Sequence, residues 1–263
     1  MLDEPQLTHQ PRDDSMKIAH FFSGLLASTV LAGCATSTGP AAMMQNADYG
    51  RAVHTPKQAA DPYYMTARER VAARAEMRSA KSAKNVIIFI GDGMGISTIT
   101  AGRIYAGQKQ GLDGESYQLT METFPNAALS KTYAHDGQVS DSASTAVAIM
   151  SGVKTNVATL GFTKDARPNN CAGSLGHEVE SVFDIAENEG LATGIVSTAR
   201  ITHATPGATY AHSASRNWEN DGHLGAQADA GCKDIAAQMI DWAAGDGFEI
   251  AMGGGRSNFM KSD

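Results

Sequence analysis

Basic charge is scarce in this sequence: 21 Lys and Arg stand against 28 Asp and Glu, a formal net charge of −7 over 263 residues. A chain so balanced has no overall field with which to hold a polyanion, and no stretch of it forms a basic patch, so nucleic acid is not expected as a specific partner. Cysteine is scarce too. The three residues, Cys34, Cys171 and Cys232, are too few to staple a small disulfide scaffold. No apolar run approaches the roughly 20 residues that a membrane-spanning helix needs. Internal repeats are absent, which excludes a solenoid. What remains is a 42% hydrophobic chain, enough to bury one substantial core.

The first residues read as an export signal. Met16-Lys17 opens a basic segment, Ile18 to Ala32 is mostly apolar but short and interrupted by His20 and Ser23, and Leu31-Ala-Gly-Cys34 closes it. That ending resembles a bacterial lipobox, in which the cysteine becomes the lipidated first residue; the alternative is a plain signal peptide with an incidental Cys34. Residues 1–33 are accordingly expected to be leader and signal, and residues 34–60, small and polar, a flexible tether. Residues 61–263 hold the folded part. The expected location is exported, periplasmic or anchored to the outer membrane, with membrane contact through Cys34. With Cys34 lipidated, the other two cysteines make an even count, and a Cys171–Cys232 bridge follows as a hypothesis for an oxidising compartment.

Along the folded part, apolar runs alternate with helical patterns. Asp61-Pro62 reads as a helix N-cap with Pro at the first helical position, ahead of a helix from Tyr63 to about Lys81. Asn85-Val-Ile-Ile-Phe-Ile90 reads as a strand buried on both faces, ending at Gly91-Asp-Gly-Met-Gly95 before a helix from Ile96 to Gln108. Ala127 to Tyr133 is expected as a second strand before a helix that starts at Ser142. A helix over Glu178–Asn188 precedes a strand over Leu191–Ser197, and a helix over Lys233–Ala243 leads to a strand over Phe248–Met252 that stops at Gly253-Gly-Gly255. This alternation argues an α/β fold with a largely parallel central sheet flanked by helices.

Three blocks carry chemistry. Asp92 stands in a Gly-rich turn after a buried run, where a dinucleotide fingerprint would need backbone N–H groups rather than a carboxylate; a hard cation is the better ligand for it. Alone, Asp92 is an ordinary turn residue. Ser142 opens a helix in Val139-Ser-Asp-Ser-Ala-Ser-Thr-Ala, where unsatisfied N–H groups and the positive dipole end favour an arriving phosphate. Taken singly, Ser140, Asp141 and Ser142 are helix caps. The polar stretch Val196-Ser-Thr-Ala-Arg-Ile-Thr-His-Ala-Thr-Pro206, with Ala211-His-Ser-Ala-Ser-Arg216, offers His203 nitrogen, Thr205 oxygen and the planar Arg216 fork that suits phosphate oxygens.

Together these blocks, NVIIFIGDGMGIST, ALSKTY, VSDSASTA, GVKT, ITHATPGATYAHSASRNW and a closing GGGR, resemble the alkaline phosphatase family in order and spacing, from about Tyr63 to the end of the chain, with a lean toward the animal-type branch. The resemblance implies an α/β catalytic domain of which residues 61–263 are the N-terminal part, incomplete at the C-terminus. It implies two Zn²⁺ and one Mg²⁺, with Asp92 ligating the magnesium and one zinc, Ser142 binding that zinc and taking up the phosphoryl group, and Thr205 joining the magnesium shell. Asp141 would orient Arg216, and Arg216 would hold the phosphate. His203 stands beside the third metal site, where many bacterial members have Asp and animal-type members have His. The Cys171–Cys232 pair also matches a disulfide of that branch, and a homodimer is the implied assembly.

The substrate implied is a phosphate monoester, hydrolysed through a phosphoserine at alkaline pH. The zinc ligands still required, Asp-then-His and H-x-x-x-H arrays, are not found around the eight histidines, so this chain is expected to supply about half of the site. Two alternatives stay open: a truncated, inactive exported lipoprotein, and a related metal-dependent diesterase. The C/S-x-P-x-R nucleophile motif of sulfatases is absent.

Overall fold

The computed structural model describes residues 54–75, 83–124 and 126–260. The expected leader, the export signal, Cys34, most of the expected tether, residues 76–81 of the expected first helix and Asp263 lie outside the described residues.

Helix α1 (Pro62–Ala75) starts where the sequence places it, because Asp61 Oδ1 accepts the N–H groups of Tyr63 and Tyr64 at 2.8 and 3.3 Å. Residues 54–60 are held to the body of the fold: Glu180 Oε2 accepts the Lys57 N–H at 2.8 Å and meets His54, while the buried Gln58 side chain donates to the carbonyls of Ser151 and Glu180.

Helices α2 (Ile96–Lys109), α3 (Ser142–Ser151) and α4 (Val182–Asn188) follow, then strand β1 (Gly194–Arg200), short helices α5 (Ala204–Gly207) and α6 (Asp221–Leu224), helix α7 (Ile235–Ile240) and strand β2 (Ile250–Gly254). Strands β1 and β2 run parallel, with Gly194 opposite Ile250 and Arg200 opposite Gly254. Since three helices lie on the path between them, the chain has the parallel-strand crossover of an α/β protein. Strand β2 stops at Gly255, whose φ is +90°; a Cβ there would also lie 2.8 Å from Arg200 Cβ, so glycine alone fits the turn.

Helices α4 and α7 begin later than the sequence pattern suggests. Residues before each are drawn into other contacts: Glu178 bridges to Phe162, and Asp234 becomes the N-cap of α7, accepting the Ala237 N–H at 2.8 Å. The core is built on α3, whose Ala143, Ala146, Val147 and Met150 recur at helical spacing and are all buried against Leu160, Ala204 and Ile235.

Two expected strands are not strands here. Asn85–Ile90 and Ala127–Tyr133 run without regular structure, and among the described residues no strand pairs with them; the Lys131 carbonyl accepts from the Lys154 side chain instead. Val86, Ile87 and Phe89 are more than three-quarters exposed, and only Ile90 of that run packs on the core. An apolar run states that a segment wants burial, whereas a strand exists only when a neighbour offers its N–H and C=O groups. Among the described residues no helix is long and apolar enough to cross a membrane.

Candidate active site

Ser142 is the first residue of α3, and Asp141 is its N-cap. One carboxylate oxygen of Asp141 accepts the Ser144 N–H at 3.1 Å and the Ser144 hydroxyl at 2.9 Å. That leaves its second oxygen facing outward, where Arg216 Nη1 donates to it at 3.0 Å. The same nitrogen donates to Ser142 Oγ at 2.9 Å. One guanidinium nitrogen thus joins the cap and the hydroxyl, so the cap role of Asp141 and its role as an orienter of Arg216 use different oxygens of one side chain.

Arg216 reaches this position because its backbone is held on both sides. Its N–H donates to the Ala158 carbonyl at 2.8 Å, and Ser213 bridges antiparallel to Leu160. Ala158 has φ +65°, a conformation uncommon for a residue other than glycine. The carbonyl that holds the Arg216 backbone thus belongs to a residue in a left-handed turn. Sequence reasoning did not find Ala158: alanine in a loop carries no mark of a positive φ.

The other nitrogen of the fork, Arg216 Nη2, lies 3.1 Å from His203 Nε2. A guanidinium can only donate, so Nε2 accepts and the imidazole proton sits on Nδ1, which is buried without a partner. His203 is the N-cap of α5, and two residues on Thr205 Oγ1 donates to Asp92 Oδ2 at 2.9 Å. The structure therefore gathers all six expected residues: Asp141, Ser142, Arg216 and His203 form one connected set, and Asp92 with Thr205 a second, joined to the first through the turn His203–Thr205.

The charges agree with these contacts. Burial opposes the charge of Asp141, yet the N–H groups of Ser144 and Ala158 together with Arg216 outweigh it and hold the carboxyl below the ordinary aspartate range. His203 is pushed below its ordinary value, first by burial and then by Arg216 and Arg200, against the opposing charges of Asp92 and Glu219. A lowered value favours the neutral ring, the form in which Nε2 can accept from Arg216.

Asp92 and Thr205 offer two oxygens, donors of the kind a magnesium ion takes, so they fit one corner of such a site. Zinc favours nitrogen and sulfur ligands in sets of three or four. The described residues contain no group of three or more His, Cys, Asp or Glu able to enclose a metal, and His203 turns Nε2 to Arg216. The two-zinc set implied by the resemblance is not assembled from these residues.

Comparison with known proteins gives a consistent result. A family model described as alkaline phosphatase matches residues 83–263. The tissue-nonspecific isozyme of alkaline phosphatase from Gallus gallus is 47% identical over 206 residues, 76% of this chain and 39% of that relative. Alkaline phosphatase 4 of Drosophila melanogaster is 51% identical over 179 residues, 67% of this chain and 29% of the relative. The chain thus spans well under half the length of these animal relatives. Among solved structures, a cold-active alkaline phosphatase from Shewanella sp. is 28% identical with a TM-score of 0.48, covering 66% of this chain and 36% of that one.

Proposed function

Because the chain belongs to the alkaline phosphatase family, we propose that it takes part in the hydrolysis of phosphate monoesters, with Ser142 as nucleophile, Arg216 as the group that grips the phosphate and Asp141 as the residue that orients Arg216. The observation that carries this reading is the single guanidinium nitrogen shared between Asp141 and Ser142 Oγ.

In the proposed reaction the substrate phosphate enters beside Ser142 at the N-terminus of α3, whose dipole favours negative charge. Arg216 turns its donors to two non-bridging oxygens while Asp141 keeps its plane fixed. The Ser142 hydroxyl gives up its proton to a solvent hydroxide, which becomes water, a transfer favoured at alkaline pH and by the positive charge of Arg216 beside the oxygen. Ser142 Oγ then bonds to phosphorus as the bond from phosphorus to the ester oxygen breaks, and the alcohol leaves with that electron pair and takes a proton from water. Water attacks the phosphoserine from the opposite side, and inorganic phosphate departs as the serine recovers its proton. A divalent cation held by Asp92 and Thr205 would add positive charge beside the reacting group.

The test is phosphoserine formation. The full chain, incubated with ³²P-labelled p-nitrophenyl phosphate and added magnesium and zinc, then quenched in acid, is expected to carry label on Ser142. Ser142→Ala is expected to carry none, and labelling that persists in Ser142→Ala refutes the assignment.

A further inference from the structure

Glu219 is a carboxylate that the reaction above does not use, yet it is only 8% exposed and saturated with donors. Arg200 reaches it in a fork, Nε at 2.8 Å and Nη2 at 2.7 Å. The Thr202 hydroxyl donates to it at 2.6 Å and the Asn258 amide at 2.9 Å. Asn258 also donates to Thr202 Oγ1 at 2.7 Å. These donors come from separate pieces of the fold: the end of β1, the residue before His203, and the turn that follows Gly255. Burial works against the charge of Glu219, but Arg200 and Thr202 hold its carboxyl below the ordinary range.

Stability alone is a poor account of this arrangement. The Arg200 side chain is half exposed, so water screens the ion pair and leaves it a small net contribution. What the network does is geometric. Thr202 adjoins His203, His203 Nε2 meets Arg216 Nη2, and Arg216 lies three residues before Glu219 on the same loop. Side chain and main chain therefore close a ring through Glu219, Thr202, His203 and Arg216. In a closed ring of this size no member shifts alone, and the angle at which Arg216 meets Ser142 is set in part by a residue that touches neither.

We propose that Glu219 is a positioning residue, fixing the loop that carries His203 and Thr205 against the loop that carries Arg216. This rests on the reading of Arg216 as the phosphate grip, and the two can be tested apart. The main chain at Trp218 and Glu219 is anchored independently, since their carbonyls accept the N–H groups of Ile235 and Ala236. Changing the side chain thus opens the ring while leaving the loop in place.

The experiment compares the full chain with Glu219→Gln, which keeps the shape and loses the charge, and with Thr202→Val, which removes one link and keeps the volume of a fully buried position. Isotope labelling of arginine and histidine allows the Arg216 Nε–H and His203 ring signals to be followed by NMR. Both are expected to shift and broaden in Glu219→Gln, with a smaller change of the same kind in Thr202→Val. Inorganic phosphate serves as the second probe, and its affinity is expected to fall about tenfold, the loss of one charge-assisted hydrogen bond. Arg216 and His203 signals that stay unchanged while only the melting temperature falls overturn the proposal. If Glu219→Gln does not fold, Thr202→Val decides by the same signals. A wild-type chain that binds no phosphate counts against the phosphoryl reading, and the NMR comparison still decides the role of Glu219.

Discussion

Breaking the bridge between Cys171 and Cys232 is expected to remove about 4 kcal/mol of stability. The structure forms this bridge, with Cα atoms 5.8 Å apart and a sequence separation of 61. In the chain-entropy treatment a loop of that length constrains the unfolded chain by about 4 kcal/mol. Against a total that for a domain is typically about 5–15 kcal/mol, that is a large share. The location adds to it. Cys171 is fully buried and packs with Ala214, Trp218 and Leu224, two of which flank Arg216 in sequence, so the bridge also steadies the loop that carries Arg216. The paired change Cys171→Ala and Cys232→Ala, followed by urea denaturation through tryptophan fluorescence, should lower the midpoint and raise the slope, since the unlinked unfolded chain exposes more surface. Thiol titration of the oxidised chain under denaturing, non-reducing conditions should find neither cysteine of the pair. Two reactive thiols from that pair, or a loss below about 1 kcal/mol, would refute the reasoning. Retention of the bridge in protein taken from the host would support the proposal that the chain is exported to an oxidising compartment.

Ala158→Gly should stabilise the fold by up to about 1 kcal/mol, because the strain of alanine at positive φ exceeds the extra unfolded-state entropy of glycine. Ala158→Val should destabilise it and loosen Arg216, whose N–H the Ala158 carbonyl accepts; equal melting temperatures for the three proteins would discount the strain. The Glu219 carboxyl, held below the ordinary glutamate value of 4.5, contributes stability that is fully present above that value and is lost as pH falls through the folded-state one. Acid denaturation followed by circular dichroism should therefore show a shallower decline below about pH 4.5 in Glu219→Gln than in the unchanged protein, and identical acid profiles would contradict the network.

Much of the site was legible because its signals are local. Asp141 and Ser142 stand at a helix start that the polar-to-apolar switch announces, and the cap of Asp61 on α1 follows from Asp-Pro alone. The family's blocks then joined Asp92, Thr205, His203 and Arg216 to that helix start, although each of them singly is an ordinary loop residue. The failures have one cause. Asn85–Ile90 carries the composition of a buried strand, but pairing depends on a second segment that composition does not name. Glu219 was passed over because nothing in Arg-Asn-Trp-Glu-Asn separates a saturated carboxylate from a solvated one.

By itself the sequence determined the alternation of helices and apolar runs, the starts of α1, α2 and α3, the pairing of Cys171 with Cys232 as the expected bridge and the residues that belong to one family's site. All of these are properties of neighbours along the chain or of a pattern shared with relatives. Only the tertiary structure decided that one nitrogen of Arg216 serves both Asp141 and Ser142, that Ala158 turns at positive φ with its carbonyl on the Arg216 N–H, and that Glu219 ties the two loops together. Those facts depend on angstrom-scale distances between residues as far apart in the chain as Asp141 and Arg216, where the favourable energy of a hydrogen bond is set by geometry that no local pattern encodes.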